Sequence, residues 1–507
     1  MTLNREVLSA SEAVYDGCQE QPIDLDISLP DYCPDIQRVL KCQVIPCIAS
    51  RNVSGDRLEI EGTYTVRVYY LDAAGSRVRC YTTEGTYLSS ATLKRSVEQA
   101  RIYASAHMEY LNCRPTSPRR LDIHGAFSVC ARVYGRSDLE VLSSIEGEGL
   151  EQQQGTFSYI ACTGFSQQPF TVEDSLQLPS SKLPAEMILR TQAAVVLQKV
   201  EPMQGQVMAV GEVRLRILYT PVEEGTQPEC MDYELPFTQP LDCAGMQEHA
   251  QCQVQISVSG VEVQVHADFS GESTTFETRV RLFACVTCYA PQSVQILKDA
   301  YSCRYEMQIT RSQKTLESLS ALIDDSCMHR FRVECDSHLK QVLDLWCEPC
   351  TVSASVENGE VQFRGKLTVC VLALNEENQP FYFERASEFT CSKPVEAEGE
   401  TRCFAQAQQL GVSYHLVGSA MEIGVEIGLS AAVFSLQPCA FITNLTEDET
   451  HPRTQDRAAA LCIYFAKSGE DLWEIARRYC TSVQAIREEN GIEGDSVEER
   501  CMLLIPM

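Results

Sequence analysis

Apolar and polar residues alternate along three stretches of the chain set about 150 residues apart. The first places Leu58, Ile60, Gly62, Tyr64, Val66, Val68 and Tyr70 on one side, with Glu59, Glu61, Thr63 and Arg67 between them. The second runs Val207, Ala209, Gly211, Val213, Leu215, Ile217, Tyr219, and the third Val361, Phe363, Gly365, Leu367, Val369, Val371, Ala373. A period of two sustained this long predicts a half-buried β-strand, apolar face inward. About 60 residues further on in each unit a second strand recurs. It reads Leu121, Ile123, Gly125, Phe127, Val129, Ala131, Val133, then Phe276, Thr278, Val280, Leu282, Ala284, Val286, Cys288, then Met421, Ile423, Val425, Ile427, Leu429, Ala431, Val433. The same two strands in the same order predict three homologous β-rich domains. The glycine shared by Gly62, Gly211 and Gly365 weakens a strand, so its return predicts a bend, a bulge or a close neighbour.

Each apolar face needs a second layer, so the expected architecture is mainly β: three tandem antiparallel β-sandwich-like repeats, followed by a small βααβ module. The expected divisions are 1–157, 158–303 and 304–445 for the repeats, 446–460 for a polar linker, and 461–507 for the last module. Helical pattern is sparse. Residues 34–40, with Pro34 at the first position, predict one short helix, and 315–324 another. In the last module Leu472, Ile475, Ala476 and Tyr479 share one helix face. Asp471 is placed to cap that helix, with Glu474 three residues on. A second helix runs from Ser482 to Glu489, stopped at Asn490-Gly491, before a closing strand through Leu504 and Ile505.

With 507 residues, 44% of them hydrophobic and 22% charged, the chain has the composition of a folded multidomain protein. Its 42 Lys and Arg against 70 Asp and Glu give a net charge of −28, which disfavours binding to nucleic acid or anionic lipid by charge alone. Neither a secretory leader nor an apolar run long enough for a membrane span is evident, so a cytoplasmic setting is expected. The 25 cysteines are then expected to be reduced, many packed as small hydrophobes.

Candidate chemistry is thin. Trp346-Cys347-Glu348-Pro349-Cys350 imitates a thioredoxin redox motif, but that chemistry needs a helix after the first cysteine, and Thr351, Ser353 and Ser355 follow in strand pattern. Cys285 and Cys288 fall on opposite faces of their strand, against a shared metal site. The eight histidines are dispersed; His107, His266 and His415 fall in predicted strands. No phosphate loop or nucleophile elbow occurs, and no cofactor or metal is expected. The expectation is a chain that works through its surfaces rather than as an enzyme.

Two resemblances sharpen this. The module from Tyr464 to Pro506, with Ser468-Gly-Glu-Asp-Leu-Trp-Glu-Ile-Ala-Arg-Arg-Tyr479, Asn490 and Leu504-Ile505-Pro506, resembles a LysM domain; it departs where Glu499-Arg500 replaces a usual Pro-Gly turn. The resemblance implies a groove for N-acetylglucosamine polymers such as peptidoglycan, formed here by Gly469, Glu470, Asp471, Leu472, Asn490, Gly491 and Ile492. Leu29-Pro-Asp-Tyr-Cys-Pro-Asp-Ile-Gln-Arg-Val-Leu40, with the strand from Glu61 to Tyr70, resembles the opening of a SPOCS domain. Three such units ahead of one LysM domain are similar to the SipL-type spore-coat morphogenetic proteins of clostridia, most clearly in the first repeat and the tail. That likeness implies a mother-cell cytoplasmic scaffold recruited to the forespore surface. Its implied partner is the coat's basement-layer ATPase, stage IV sporulation protein A, engaged through the LysM module. The alternative it leaves open is glycan binding in the same groove.

Overall fold

The structure, a computed structural model, describes residues 1–506 apart from 76, 224, 248, 268–270, 335–338, 349–350, 419 and 454–460. The first repeat comprises β1 (Thr2–Leu8), β2 (Ser11–Ser28), β3 (Ile36–Ser54), β4 (Arg57–Asp72), β5 (Val78–Thr92), β6 (Arg101–Ser117), β7 (Arg120–Arg136) and β8 (Leu139–Glu146). The second comprises β9 (Leu150–Gln177), β10 (Ala185–Met203), β11 (Gln206–Pro221), β12 (Glu229–Asp242), β13 (Gln251–His266) and β14 (Thr275–Ser302). The third comprises β15 (Tyr305–Glu334), β16 (Leu339–Cys347), β17 (Thr351–Glu357), β18 (Glu360–Asn375), β19 (Pro380–Pro394), β20 (Glu400–Val417) and β21 (Ala420–Pro452). The C-terminal module is β22 (Leu461–Ala466), α1 (Leu472–Tyr479), α2 (Val483–Asn490) and β23 (Cys501–Pro506).

Each repeat is an antiparallel sandwich of the expected kind. In the first, sheet β3-β4-β5 faces sheet β2-β7-β6; in the second, β10-β11-β12 faces β13-β14-β9; in the third, the β16/β17-β18-β19 sheet faces β15-β21-β20. The alternating residues of the two repeated strands fill the space between: Val66, Val68, Ile123 and Phe127 in one core, Val213, Leu215, Val280 and Leu282 in the next, Val369, Val371, Ile423 and Val425 in the third. Both helices predicted within the repeats are corrected. Residues 36–40 open β3 and 315–324 lie within β15, because cross-strand pairing with β4 and β21 satisfies their backbone and overrides local preference.

The recurring glycine has a definite cause. Gly62, Gly211 and Gly365 stand directly opposite Tyr87, Phe237 and Phe389 on the neighbouring strand. The ring of each aromatic lies over the glycine, so a Cβ at Gly62 would meet Tyr87 Cζ at 2.4 Å, at Gly211 Phe237 Cζ at 3.0 Å, and at Gly365 Phe389 Cζ at 2.4 Å. A bulge on the other neighbour accompanies the first two, at Ile48/Ser50 and Leu197/Lys199. Bulge and close packing therefore occur together, the aromatic filling the space the missing side chain leaves.

The repeats are not beads on a string. They close into a ring, the third strand of one outer sheet packing against the first strand of the next: β5 on β10, β12 on β16, β19 on β3. Equivalent residues close equivalent joints: Arg67 donates to the Thr191 carbonyl at 3.1 Å, and Arg216 to the Leu345 carbonyl at 3.1 Å. The third joint substitutes an ion pair, Lys41 Nζ to Glu384 Oε2 at 2.7 Å. Where the three meet, Leu71, Leu218, Trp346 and Leu372 form a common apolar centre. Against it lies a buried pair from two repeats, Arg190 Nε donating to Asp344 Oδ2 at 2.6 Å, with side chains 3% and 0% exposed.

The first and last strands of each repeat extend beyond the sandwiches as ribbons. β1 pairs β8, the N-terminal part of β9 pairs the C-terminal part of β14, and the N-terminal part of β15 pairs the C-terminal part of β21. The three ribbons pack through Leu8, Val141, Leu142, Val294, Leu297, Leu316, Phe441 and Ile442 into a shared stem. Two expected domain edges consequently fall inside strands: β9 crosses 157/158 unbroken, and 446–452, expected as linker, finish β21. Residues 454–460 of that linker lie outside the described residues. One expected thiol pair is also corrected, since Cys18 and Cys130, direct partners on β2 and β7, are joined as a disulfide.

Candidate functional site

The C-terminal module folds as its pattern predicts. Asp471 caps α1, its Oδ1 accepting from the Trp473 N–H at 2.8 Å, and Ser482 caps α2 through the Ala485 N–H at 3.0 Å. Gly491, at φ 65°, ends α2 in the left-handed region that glycine tolerates. Leu472, Ile475, Ala476 and Ile486 pack onto Leu503 and Ile505 of β23.

Of the seven groove residues predicted from sequence, Gly469, Glu470 and Asp471 lie in the loop before α1 and Gly491 and Ile492 in the turn after α2, while Leu472 opens α1 and Asn490 closes α2; most of their hydrogen-bonding capacity is spent inside the module. Glu470 accepts from Tyr464 Oη at 2.5 Å and from the Lys467 N–H at 3.0 Å. Asn490 donates to the Ile486 and Leu504 carbonyls at 2.8 and 2.7 Å and accepts from the Leu504 N–H at 2.7 Å, tying α2 to β23. Gly469 and Leu472 donate to the Val497 and Asp495 carbonyls, and the Gly491 and Ile492 N–H groups both go to Arg487. Leu472 is fully buried, while Gly469, Asp471 and Gly491 are exposed.

Sequence reasoning missed how this module is held. Its α1 face sits on the end of the stem, where Asp299 of β14 accepts from Trp473 Nε1 at 3.1 Å and from Arg477 Nη1 at 2.6 Å. Tyr301 lays its ring edge on Trp473, centroids 4.9 Å apart, and donates to the Thr481 carbonyl at 2.7 Å. Trp473 thus faces the stem rather than a ligand. Replacing Asp299 by Ala removes two charge-assisted contacts, a loss of about 2 kcal/mol in the docked arrangement. The expected result is faster proteolytic release of the module and a red-shifted emission from Trp473, one of the two tryptophans. An unchanged spectrum and cleavage rate would mean that the module is held elsewhere.

A cavity of about 1370 Å³ lies between the three repeats, lined among others by Arg51, Arg101, Gln167, Gln253, Glu317 and Phe404. Arg51 stacks on Phe283 at 4.3 Å, and Arg132 pairs with Asp16 at 2.9 Å. Burial pushes the Cys162 and Cys285 thiols up despite arginines beside them, and does the same to Tyr103. The groups that a nucleophilic reaction would draw on are therefore held in their neutral forms.

Elsewhere, Cys347 is buried at the end of β16 and the strand β17 follows, so the helix a redox motif requires is absent there; Cys350 lies outside the described residues. Cys285 borders the cavity while Cys288 faces the second core, on opposite faces as expected. His107, His266 and His415 lie on β6, β13 and β20. His124, which the sequence did not single out, gathers with Asp24 and Asp122 on an exposed face, both ring nitrogens already turned to carboxylates. Among the described residues no helix is long and apolar enough to cross a membrane.

Comparison with known families matches two segments. Residues 184–266, from the start of β10 to the end of β13, match the SipL, SPOCS domain, and residues 464–506 match the LysM domain. The first match lies in the second repeat, whereas the residue-level likeness was clearest in the first. No curated protein and no solved structure matches. Both matched families are binding domains rather than catalytic ones. In its domain content the chain carries the two domains that the resemblance to SipL-type proteins implied, a segment matching the SPOCS domain in its second repeat and one matching the LysM domain after the third.

Proposed function

We propose that this protein is a non-enzymatic scaffold of endospore coat assembly, with SPOCS-like modules in all three repeats. In this reading it works in the mother-cell cytoplasm and is recruited to the forespore surface. Its LysM module docks onto the coat's basement-layer ATPase, stage IV sporulation protein A. The observation that carries the docking is the outer face of the β22–β23 pair. Leu461, Ile463 and Phe465 of β22 and Met502 of β23 stand 44%, 58%, 68% and 52% exposed, side by side and opposite the helices. Apolar side chains grouped this way in an otherwise acidic protein are the composition of a protein-binding patch. The seat on Asp299 and Tyr301 leaves this face outward.

Co-purification of the full chain with the ATPase tests the proposal. Phe465→Asp is expected to reduce recovery of the partner at least tenfold while leaving the unfolding midpoint unchanged, because the ring contacts solvent. Retention of the partner by that variant would remove this face as the docking site.

The second reading, glycan held in the groove, is favoured by the LysM match and by exposed Gly469, Asp471 and Gly491. The internal engagement of Glu470 and Asn490 weighs against it. Pelleting the full chain with purified cell wall separates the two readings, since a protein-docking module stays in the supernatant.

A further inference from the structure

Three cysteines of the second repeat converge. Cys252 Sγ lies 2.8 Å from Cys288 Sγ, and Cys243 Sγ lies 3.5 Å from the same atom. Cys252 and Cys288 are direct cross-strand partners on β13 and β14, the relation that Cys18 and Cys130 have on β2 and β7, where the bond is formed. Cys243 follows the end of β12, on the opposite sheet of the sandwich. Cys243 and Cys288 are fully buried; Cys252 is half-buried on β13, the outermost strand of its sheet.

We propose that Cys243, Cys252 and Cys288 form a thiol–disulfide exchange relay, entered at Cys252 by small-molecule disulfides of the glutathione type. The arrangement gives each sulfur a separate part. Cys288 is within hydrogen-bond reach of both others and its one S–H serves either of them, which raises its own pKa and lowers those of Cys243 and Cys252. Cys252 combines this thiolate character with access from solvent, the two requirements of an attacking thiol.

In the first step the Cys252 thiolate attacks one sulfur of the small disulfide. The S–S bond breaks, one small thiol departs with the proton Cys252 gave up, and a mixed disulfide remains. Cys288 then passes its proton to Cys243, 3.5 Å away, and attacks Cys252 Sγ, forming Cys252–Cys288 and releasing the second small thiol, which takes its proton from solvent. Two protein thiols are oxidised and one small disulfide is reduced to two thiols. In a second step with no net oxidation, the Cys243 thiolate attacks Cys288 Sγ. Cys243–Cys288 forms, and Cys252 leaves and takes up the proton. The first bond lies within one sheet, whereas the second joins the two sheets of the repeat. Exchange therefore converts a bond between neighbouring strands into a staple across the core. Cys243 and Cys252 both fall inside the segment that matches the SPOCS domain.

The test uses the full chain exposed to oxidised glutathione, blocked with an alkylating reagent and peptide-mapped without reductant. The expected products are linked Cys252–Cys288 peptides, lighter than their reduced sum by two hydrogens, with Cys243–Cys288 as a second species. Cys252→Ser is expected to leave Cys243 and Cys288 both reduced, because neither buried thiol can be reached without the entry cysteine, and Cys243→Ser to give only Cys252–Cys288. Three alkylated cysteines after oxidation of the unmutated chain would overturn the proposal, as would a stable glutathione adduct on Cys252 beside an alkylated Cys288. Mapping the unmutated chain decides the bonds even where a variant folds poorly. If Cys252–Cys288 forms but Cys243 is alkylated in every sample, the exchange step is overturned.

Discussion

Replacing Asp344 by Ala is expected to lower the stability of the ring by about 3–5 kcal/mol, the usual cost of stripping one partner from a buried ion pair. Asp344 of β16 is the carboxylate that meets Arg190 of β10, and neither side chain reaches water. Burial works against the Arg190 charge, and the Asp344 carboxylate, with smaller help from Tyr69 and Cys230, more than offsets it. Around the guanidinium stand the Trp346 ring, 4.7 Å away, and Tyr69 from the first repeat, so no solvent is at hand to replace the lost acceptor. Arg190 Nη1 keeps only the Gln192 amide oxygen, at 2.8 Å.

The pair spans two repeats and touches a third, so the loss is expected to loosen the joint between repeats before any single sandwich melts. Denaturant unfolding followed at Trp346 would report it, with Arg190→Met combined with Asp344→Leu as the comparison. Two apolar side chains of similar size leave no orphaned charge, and the double variant is expected to recover most of the stability. Should the single replacement cost less than about 1 kcal/mol, water has entered the centre and the pair is not sealed as the geometry implies.

Valine at Gly211 is the second large effect. A Cβ there would lie 2.4 Å from the Val196 carbonyl oxygen and 3.3 Å from Leu197 Cα, as well as 3.0 Å from the Phe237 ring. The ring can turn aside, but the backbone of the bulge cannot, so β10 has to separate from β11 where their pairing is already irregular. The expected cost is about 3 kcal/mol, at the upper end for overpacking. It would be read as a lowered unfolding midpoint of the full chain. Gly411→Ala on β20 is the matched control: its Cβ would meet only the Glu426 carboxylate, at 3.4 Å, and no shift is expected. Equal shifts for the two replacements would mean that glycine in these strands matters for backbone freedom and not for the packed aromatic.

That glycine shows what kind of information the pattern carried. Its recurrence in three stretches was visible because the alternation framing it is local, with residues i and i+2 sharing a face whatever lies across from them. The aromatic that explains it sits on the neighbouring strand 24 to 26 residues away, at Tyr87, Phe237 and Phe389. Periodicity cannot pair such positions without knowing the register. The two helices wrongly expected at 34–40 and 315–324 fail for the same reason, because short segments with helical features became strands when a partner strand took their hydrogen bonds. The C-terminal module was read almost completely, the Asp471 cap and the stop at Gly491 included, though Ser482 was placed in the second helix rather than as its cap. A capping residue acts on N–H groups two or three positions away, and both helices are short enough for local signals to determine them.

The sequence by itself determined the β class, the threefold repetition, the βααβ ending and the resemblance that the two matched domains bear out, all of which rest on neighbours along the chain or on whole-segment likeness. Only the tertiary structure decided that the repeats close into a ring around a cavity, that β9, β14, β15 and β21 run past the expected edges into a common stem, and that Asp299 and Tyr301 seat the LysM module. Those features depend on contacts between residues up to several hundred positions apart, such as Lys41 with Glu384 or Trp473 with Asp299. The apolar row at Ile463, Phe465 and Met502 belongs with them. Alternation alone marked β22 as a strand, and only the fold assigned the helices to its other face and left this one to water.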